Sequence, residues 1–199
     1  MRRLLCVMVA LFTLVAVTGS VFAQGDVSLW TKMRDGHAPK FIPWVTYDSG
    51  KMFAEARFNF DWDKSSTFFL GKSFQVGGKS LVPEIGIIYG KDYKAVTPQL
   101  LAWGGNGRFG WYTLNQGSFS TNNAPHFFYD FISASWKFSQ RLSAKLNGQV
   151  YWEEATVPAI DIGPAARVIF PHGLYSQVWG TVNPANGVKK FFVGMGTAF

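Results

Sequence analysis

Long runs in which apolar and polar residues alternate one by one constrain this chain most. From residue 52, Met52, Ala54, Ala56, Phe58, Phe60 and Trp62 share one parity, and Phe53, Glu55, Arg57, Asn59 and Asp61 share the other. A later run is cleaner. Leu142, Ala144, Leu146, Gly148, Val150 and Trp152 alternate with Ser143, Lys145, Asn147, Gln149, Tyr151 and Glu153. Successive side chains of a strand point to opposite faces, so a period of two marks a strand with one apolar and one polar face. In a soluble sandwich the apolar faces meet in a core; in a transmembrane barrel they meet lipid, and the polar faces line a lumen. Runs of about ten residues have the length a tilted strand needs to cross a bilayer.

Composition supports the membrane alternative. Aromatic residues make up 17% of the chain and charged residues 16%, against about 25% charged in typical soluble domains. No segment after residue 23 is a transmembrane helix candidate, and none carries a 3.6-residue stripe. The start of the chain has a different pattern. Met1-Arg2-Arg3 is a positive region, Leu4 to Val17 is apolar, and Val21-Phe22-Ala23 places small residues where a signal peptidase reads. The apolar run is about 14 residues, short of the roughly 20 needed to span. This is the pattern of a Sec-type signal peptide cut before Gln24. Cys6, the single cysteine, falls within it. The mature chain is therefore expected to have no disulfide, no thiolate metal site and no cysteine nucleophile.

The expected organisation is residues 1–23 as a cleaved leader, 24–51 as an N-terminal extension or additional strand hairpin, and 52–199 as the barrel. The alternation yields about ten strands, with eight or twelve as the other options. They are 52–62, 67–76, 80–90, 95–104, 108–116, 126–138, 142–153, 160–170, 174–183 and 188–199. Longer connections at 117–125 and 155–159 are expected outside, and tight turns at 77–79, 139–141 and 171–173 on the periplasmic side. Trp62 and Trp152 would then belong to an outer aromatic girdle. Segments 26–33 and 41–47 could form two further strands, and an even strand count requires them to enter together or not at all.

The chain ends Phe191-Phe192-Val193-Gly194-Met195-Gly196-Thr197-Ala198-Phe199. A terminal Phe199 with Met195, Val193 and Phe191 at alternate positions resembles the C-terminal insertion signal of Gram-negative outer-membrane β-barrels. Thr197 departs from that pattern, in which an aromatic is usual. The resemblance is to a broad class. It implies an all-β, closed antiparallel transmembrane barrel in the outer membrane, with Phe191, Val193, Met195 and Phe199 as the handle for the barrel-assembly machinery. Outer-membrane lipid and lipopolysaccharide are the surroundings it implies.

The inward parity carries the functional reading. Glu55, Arg57, Asn59, Glu84, Lys137, Lys145, Asn147, Arg167 and Lys190 are the candidate lumen-lining residues. Charges among them cannot face lipid, where Arg or Lys at the midplane costs about 2–4 kcal/mol. They form either a hydrated, charged pore wall or a closed salt-bridge network. The leading expectation is a small passive channel, a porin for small polar solutes. The alternatives are a closed structural or surface-interaction barrel and a lipid A-modifying barrel enzyme. The last would use His126 with Ser118, Ser120 or Asp130, but their spacing matches no catalytic motif. The histidines His37, His126 and His172 lack metal-ligand spacing, so no metal, cofactor or catalytic residue is assigned. Gly105-Asn106-Gly107-Arg108-Phe109-Gly110 matches a dinucleotide fingerprint in letters only, since a strand and not a helix follows it. The net charge of +7 is scattered, without the basic stripe that nucleic acid requires.

Overall fold

The computed structural model describes residues 24–34, 36–61 and 64–198. The chain forms a closed antiparallel β-barrel. Its strands are β1 (Gln24–Arg34), β2 (His37–Asp48), β3 (Phe53–Phe58), β4 (Ser65–Gly71), β5 (Phe74–Val76), β6 (Lys79–Gly90), β7 (Lys94–Asn106), β8 (Phe109–Ser120), β9 (Phe127–Lys137), β10 (Leu142–Glu153), β11 (Ala159–Ile169), β12 (Leu174–Val182) and β13 (Lys189–Ala198). Successive strands pair around the ring, β1 joins β13, and β4 joins β6. Twelve strands make the wall and β5 lies outside that ring. It continues the path of β4 along β6: β4 pairs with Glu84 to Gly90, and β5 with Lys79 to Leu81.

The strand number corrects the expectation of about ten. The additional pair is β1 and β2, joined in register from Gln24↔Asp48 to Lys32↔Lys40, with a shift before Arg34↔His37. Their pattern is weak in the sequence for a physical reason. Trp30, Ile42 and Trp44 occupy the inward parity, so the polar face is partly apolar, and Pro39 and Pro43, which lack an N–H, lie within β2. Two other boundaries move. β3 ends at Phe58 because Asn59 takes a left-handed conformation (φ 57°). β8 runs on to Ser120, so Ser118 and Ser120 lie in a strand and the following connection is shorter than expected. The fingerprint-like segment is the β7–β8 hairpin, turned at Gly107 (φ 58°), where a glycine avoids a Cβ clash.

Gln24 and Ala198 lie at one end of the barrel, here the inner end, with the tight turns at 77–78, 107–108, 138–141 and 170–173. The opposite, outer end carries 121–126, 154–158 and 183–188. The outward face is apolar over most of its height. Ile85 and Ile87 are each 56% exposed and Met195 is 65% exposed, far more contiguous apolar surface than a protein in water leaves bare. Phe128 stacks on Trp152 near the outer end, at 5.2 Å between centroids, and Trp111 and Trp136 lie on the outward face near the inner end. Trp62, Phe199 and the leader 1–23 are outside the described residues.

The interior is unequal. Phe53, Val82, Ile88, Tyr93, Leu101, Leu114 and Phe127 pack into an apolar core against the β6–β8 side. That side therefore has apolar residues on both faces of its strands, which blurs the alternation in 80–90 and 95–104.

Candidate functional site

Arg57 dominates the packed side. Its side chain is fully buried. The guanidinium lies between the rings of Trp44 and Phe69, 4.5 and 4.6 Å from their centroids. Its Nε donates to Glu55, one terminal nitrogen donates to Gln99, and the other donates to Gln116 Oε1 at 2.9 Å. Gln99 Nε2 donates in turn to Glu55 Oε2 at 3.2 Å and Glu84 Oε2 at 2.5 Å. Gln116 Nε2 and Thr67 Oγ1 both donate to Asp61, at 2.8 and 2.6 Å. A buried charge needs opposite charge and hydrogen bonds on every side to offset its lost hydration. Arg57 has both, so this half of the lumen is a closed polar network resting on the apolar core.

The other half holds a cavity of about 910 Å³, lined mainly by β1, β2 and β8–β13, from Asp26 and Tyr175 near the inner end to Arg34 and Asn186 near the outer end. Lys32, Arg34, Lys40, Lys145, Arg167 and Lys190 reach it, against Asp26, Asp61, Glu153 and Asp161. The excess is therefore cationic and small: Lys32, Arg34, Lys40 and Lys190 stand toward the outer end with Asp61, Glu153 and Asp161, and Lys145 and Arg167 stand deeper with Asp26. Lys32 stands opposite Lys40, and Arg34 opposite Lys190. Lys190 is paired with Asp161, which also accepts from Gln149 Nε2 at 2.7 Å. Deeper in, Lys145 donates to Gln177 Oε1 at 2.8 Å, the Arg167 guanidinium stacks on Tyr175 at 3.8 Å, and the Tyr175 hydroxyl donates to Asp26 Oδ1 at 2.9 Å.

Aromatic rings pave the wall between these charges. Trp179 stacks on Phe192 (4.4 Å, 16°) and meets Phe131 edge-on (5.4 Å, 72°). Trp30 lies flat over Gly194, where a Cβ would come within 2.6 Å of the indole. Glycine at that position permits the close approach. Beside this pavement several buried polar groups have no protein partner: both amide atoms of Asn147, Oδ1 of Asp161 and Nε1 of Trp179.

The residues read from the sequence therefore divide. Glu55, Arg57 and Glu84 lie in the closed network, while Lys145, Asn147, Arg167 and Lys190 line the cavity. Two depart from the expected lining. The alternation breaks at Asn59, whose amide donates to the Phe41 carbonyl at 3.2 Å. Lys137 is exposed at the inner end of β9, outside the cavity lining. Lys32, Arg34, Lys40, Trp30, Trp179 and Phe192 were missed. The first four lie on the hairpin whose strand pattern is weak; the last two are apolar, and an apolar side chain carries no signal of an inward role. On β1 the parity Asp26, Ser28, Trp30, Lys32, Arg34 held the signal.

Phe191, Val193 and Met195 face outward on β13, opposite in parity to the cavity-lining Lys190 and Phe192. The residues weighed for catalysis do not converge. His126 Nδ1 accepts from the Ser120 backbone at 3.0 Å, and Ser118 is hydrogen-bonded to Tyr93 at 3.0 Å inside the barrel. Asp130 is exposed on the outward parity of β9, where Asn115 Nδ2 donates to it at 2.9 Å.

No family model matches the chain, and no curated protein matches it. Solved structures do. The KdgM porin superposes with a TM-score of 0.67 at 11% identity, covering 87% of this chain and 99% of that one. A KdgM porin in complex with disordered oligogalacturonate gives 0.67 at 10% identity, with the same coverage. A NanC porin gives 0.68 at 7% identity, covering 86% and 98%. The likeness is one of fold, and by it this chain has the closed antiparallel barrel of the outer-membrane porins.

Proposed function

We propose that the protein is a passive outer-membrane porin for small polar solutes, with the path confined to one half of the lumen. The observation that carries this reading is the cavity of about 910 Å³, lined from one end of the strands to the other. The outward apolar face supports a place in the membrane, and the fold of the porins supports the outer one. Solutes would meet Lys32, Arg34, Lys40 and Lys190 among Asp61, Glu153 and Asp161 first, then the pavement of Trp30, Phe192 and Trp179. Charges lining a pore set its selectivity, so small anions are preferred mildly over cations. Oligogalacturonate, printed with one KdgM structure, is a suitable first anionic solute because its hydroxyls and apolar ring faces suit a wall of mixed amides and aromatics.

The closed network around Arg57 favours the second reading, a sealed structural barrel. Liposome swelling separates the two. Proteoliposomes that swell in small sugars and galacturonate, but not in large dextrans, support the porin. Proteoliposomes that behave as empty vesicles in every solute leave the sealed barrel.

A further inference from the structure

The outward wall has a notch between β11 and β12. Their ladder pairs Ile162 with Val182 and resumes only at Ala165 with Trp179. Pro164, in the interruption, has no N–H to donate. Gly180 lies beside it with no side chain, and a Cβ there would meet only Phe191, at 3.8 Å. Over these two residues lies a depression of about 530 Å³ walled by Ile162, Val182, Phe191 and Met33. At its outer end stand Lys189, Lys190 and Arg34, and no carboxylate lines it. Lys189 faces outward and is exposed, whereas Arg34 and Lys190 are on the inward parity and touch the depression only at its rim.

We propose that this depression is a lipid site that seats an acyl chain of lipopolysaccharide, with a lipid A phosphate held by Lys189. The proposal rests on the outer-membrane reading for its orientation. An apolar trough on the membrane-facing wall suits a hydrocarbon chain, and the notch at Gly180 lets the chain sit below the surrounding side chains. The outward-facing cation, Lys189, stands at the outer end, which faces the outer leaflet. A phospholipid of the inner leaflet would present its phosphate at the opposite end of the trough, where the lining is Pro164, Gly180 and Phe191. The Lys189 ammonium provides a charge-assisted hydrogen bond to phosphate as a compact point charge. The long Lys189 stem can lie along the trough while its charge stays at the interface.

The test is native mass spectrometry of the folded full-length protein in detergent, titrated with bisphosphorylated lipid A, with lipid A lacking its phosphates, and with phosphatidylglycerol. The site predicts one retained lipid A per barrel, at concentrations about tenfold below those needed for either comparison lipid. Lys189→Gln should lose that preference through the charge, and Gly180→Leu through the trough. Lys189→Gln lies at an exposed strand end, so it reports even if Gly180→Leu does not fold. Equal retention of phosphatidylglycerol, or undiminished lipid A preference in Lys189→Gln, overturns the proposal. The same preparations are assayed for conductance. Channels without lipid preference remove the lipid site alone, and lipid preference without channels removes the porin reading alone.

Discussion

Arg57 on β3 donates to Gln116 on β8 at 2.9 Å across the interior of the barrel, although β4, β6 and β7 lie between these strands in the ring. The bond ties distant parts of the wall together and closes the lumen on that side. The cavity is left to the opposite arc, where aromatic rings and a slight excess of cations over carboxylates face it.

Removing one member of a buried, hydrogen-bonded charge pair costs about 3–5 kcal/mol because the partner charge stays buried. Arg57→Ala leaves Glu55, Glu84 and Asp61 gathered around an empty centre. Its urea unfolding midpoint in bilayers is expected to fall well below wild type. Any folded fraction should conduct more, because the closed half gains space. An unchanged midpoint would mean that the network contributes little to the fold.

Selectivity should respond to the outer cations and not to Arg57. Lys32 and Lys40 stand opposite each other on the cavity side, whereas Arg57 is fully buried. Lys32→Gln with Lys40→Gln should shift the reversal potential toward cation preference in a salt gradient. The shift should shrink as salt rises, since the Debye length falls from about 10 Å at 0.1 M to about 3 Å at 1 M. A double variant with wild-type selectivity would place the path elsewhere.

Leu146 is 54% exposed on the outward face of β10, and Gln149 lines the cavity on the same strand. Leu146→Arg places a charge in lipid, at about 2–4 kcal/mol near the midplane. Gln149→Arg places one beside Asp161 in an aqueous space. Refolding titrations into vesicles should therefore separate the two clearly. Asn147 is a poorer comparison, because it is fully buried and an arginine there would also be overpacked. Equal penalties at 146 and 149 would contradict the register.

Much of the wall was legible because lipid on one face and polar groups on the other enforce a strict period of two. Leu142 to Glu153 has that form and is β10 at the same boundaries. Legibility failed where the interior is not polar. Trp30, Ile42 and Trp44 turn apolar groups inward, so the β1–β2 hairpin carried little contrast and the strand count fell short. Val82, Ile88 and Leu101 had the same effect on the packed side. At the site, parity identified inward charges but not their fate. Arg57 and Lys145 look alike in an alternating run, and only tertiary packing puts one in a closed network and the other in the cavity.

Assembly offers an independent check on the class. Deleting Phe199 should lower the amount of folded, heat-modifiable protein in outer membranes at native expression levels, while the purified chain still refolds in detergent. Unchanged assembly in cells would remove the insertion-signal argument without touching the barrel.

The central claim is that half of the lumen is a path whose lining carries a small cationic excess. Planar-bilayer recording of the purified protein tests it most directly. The account predicts discrete, repeatable conductance steps with a mild anion preference, reduced by galacturonate added to the side that bears Lys32 and Lys40. Silent insertions, with folded protein confirmed in the same bilayers, would contradict it and make the barrel a sealed one.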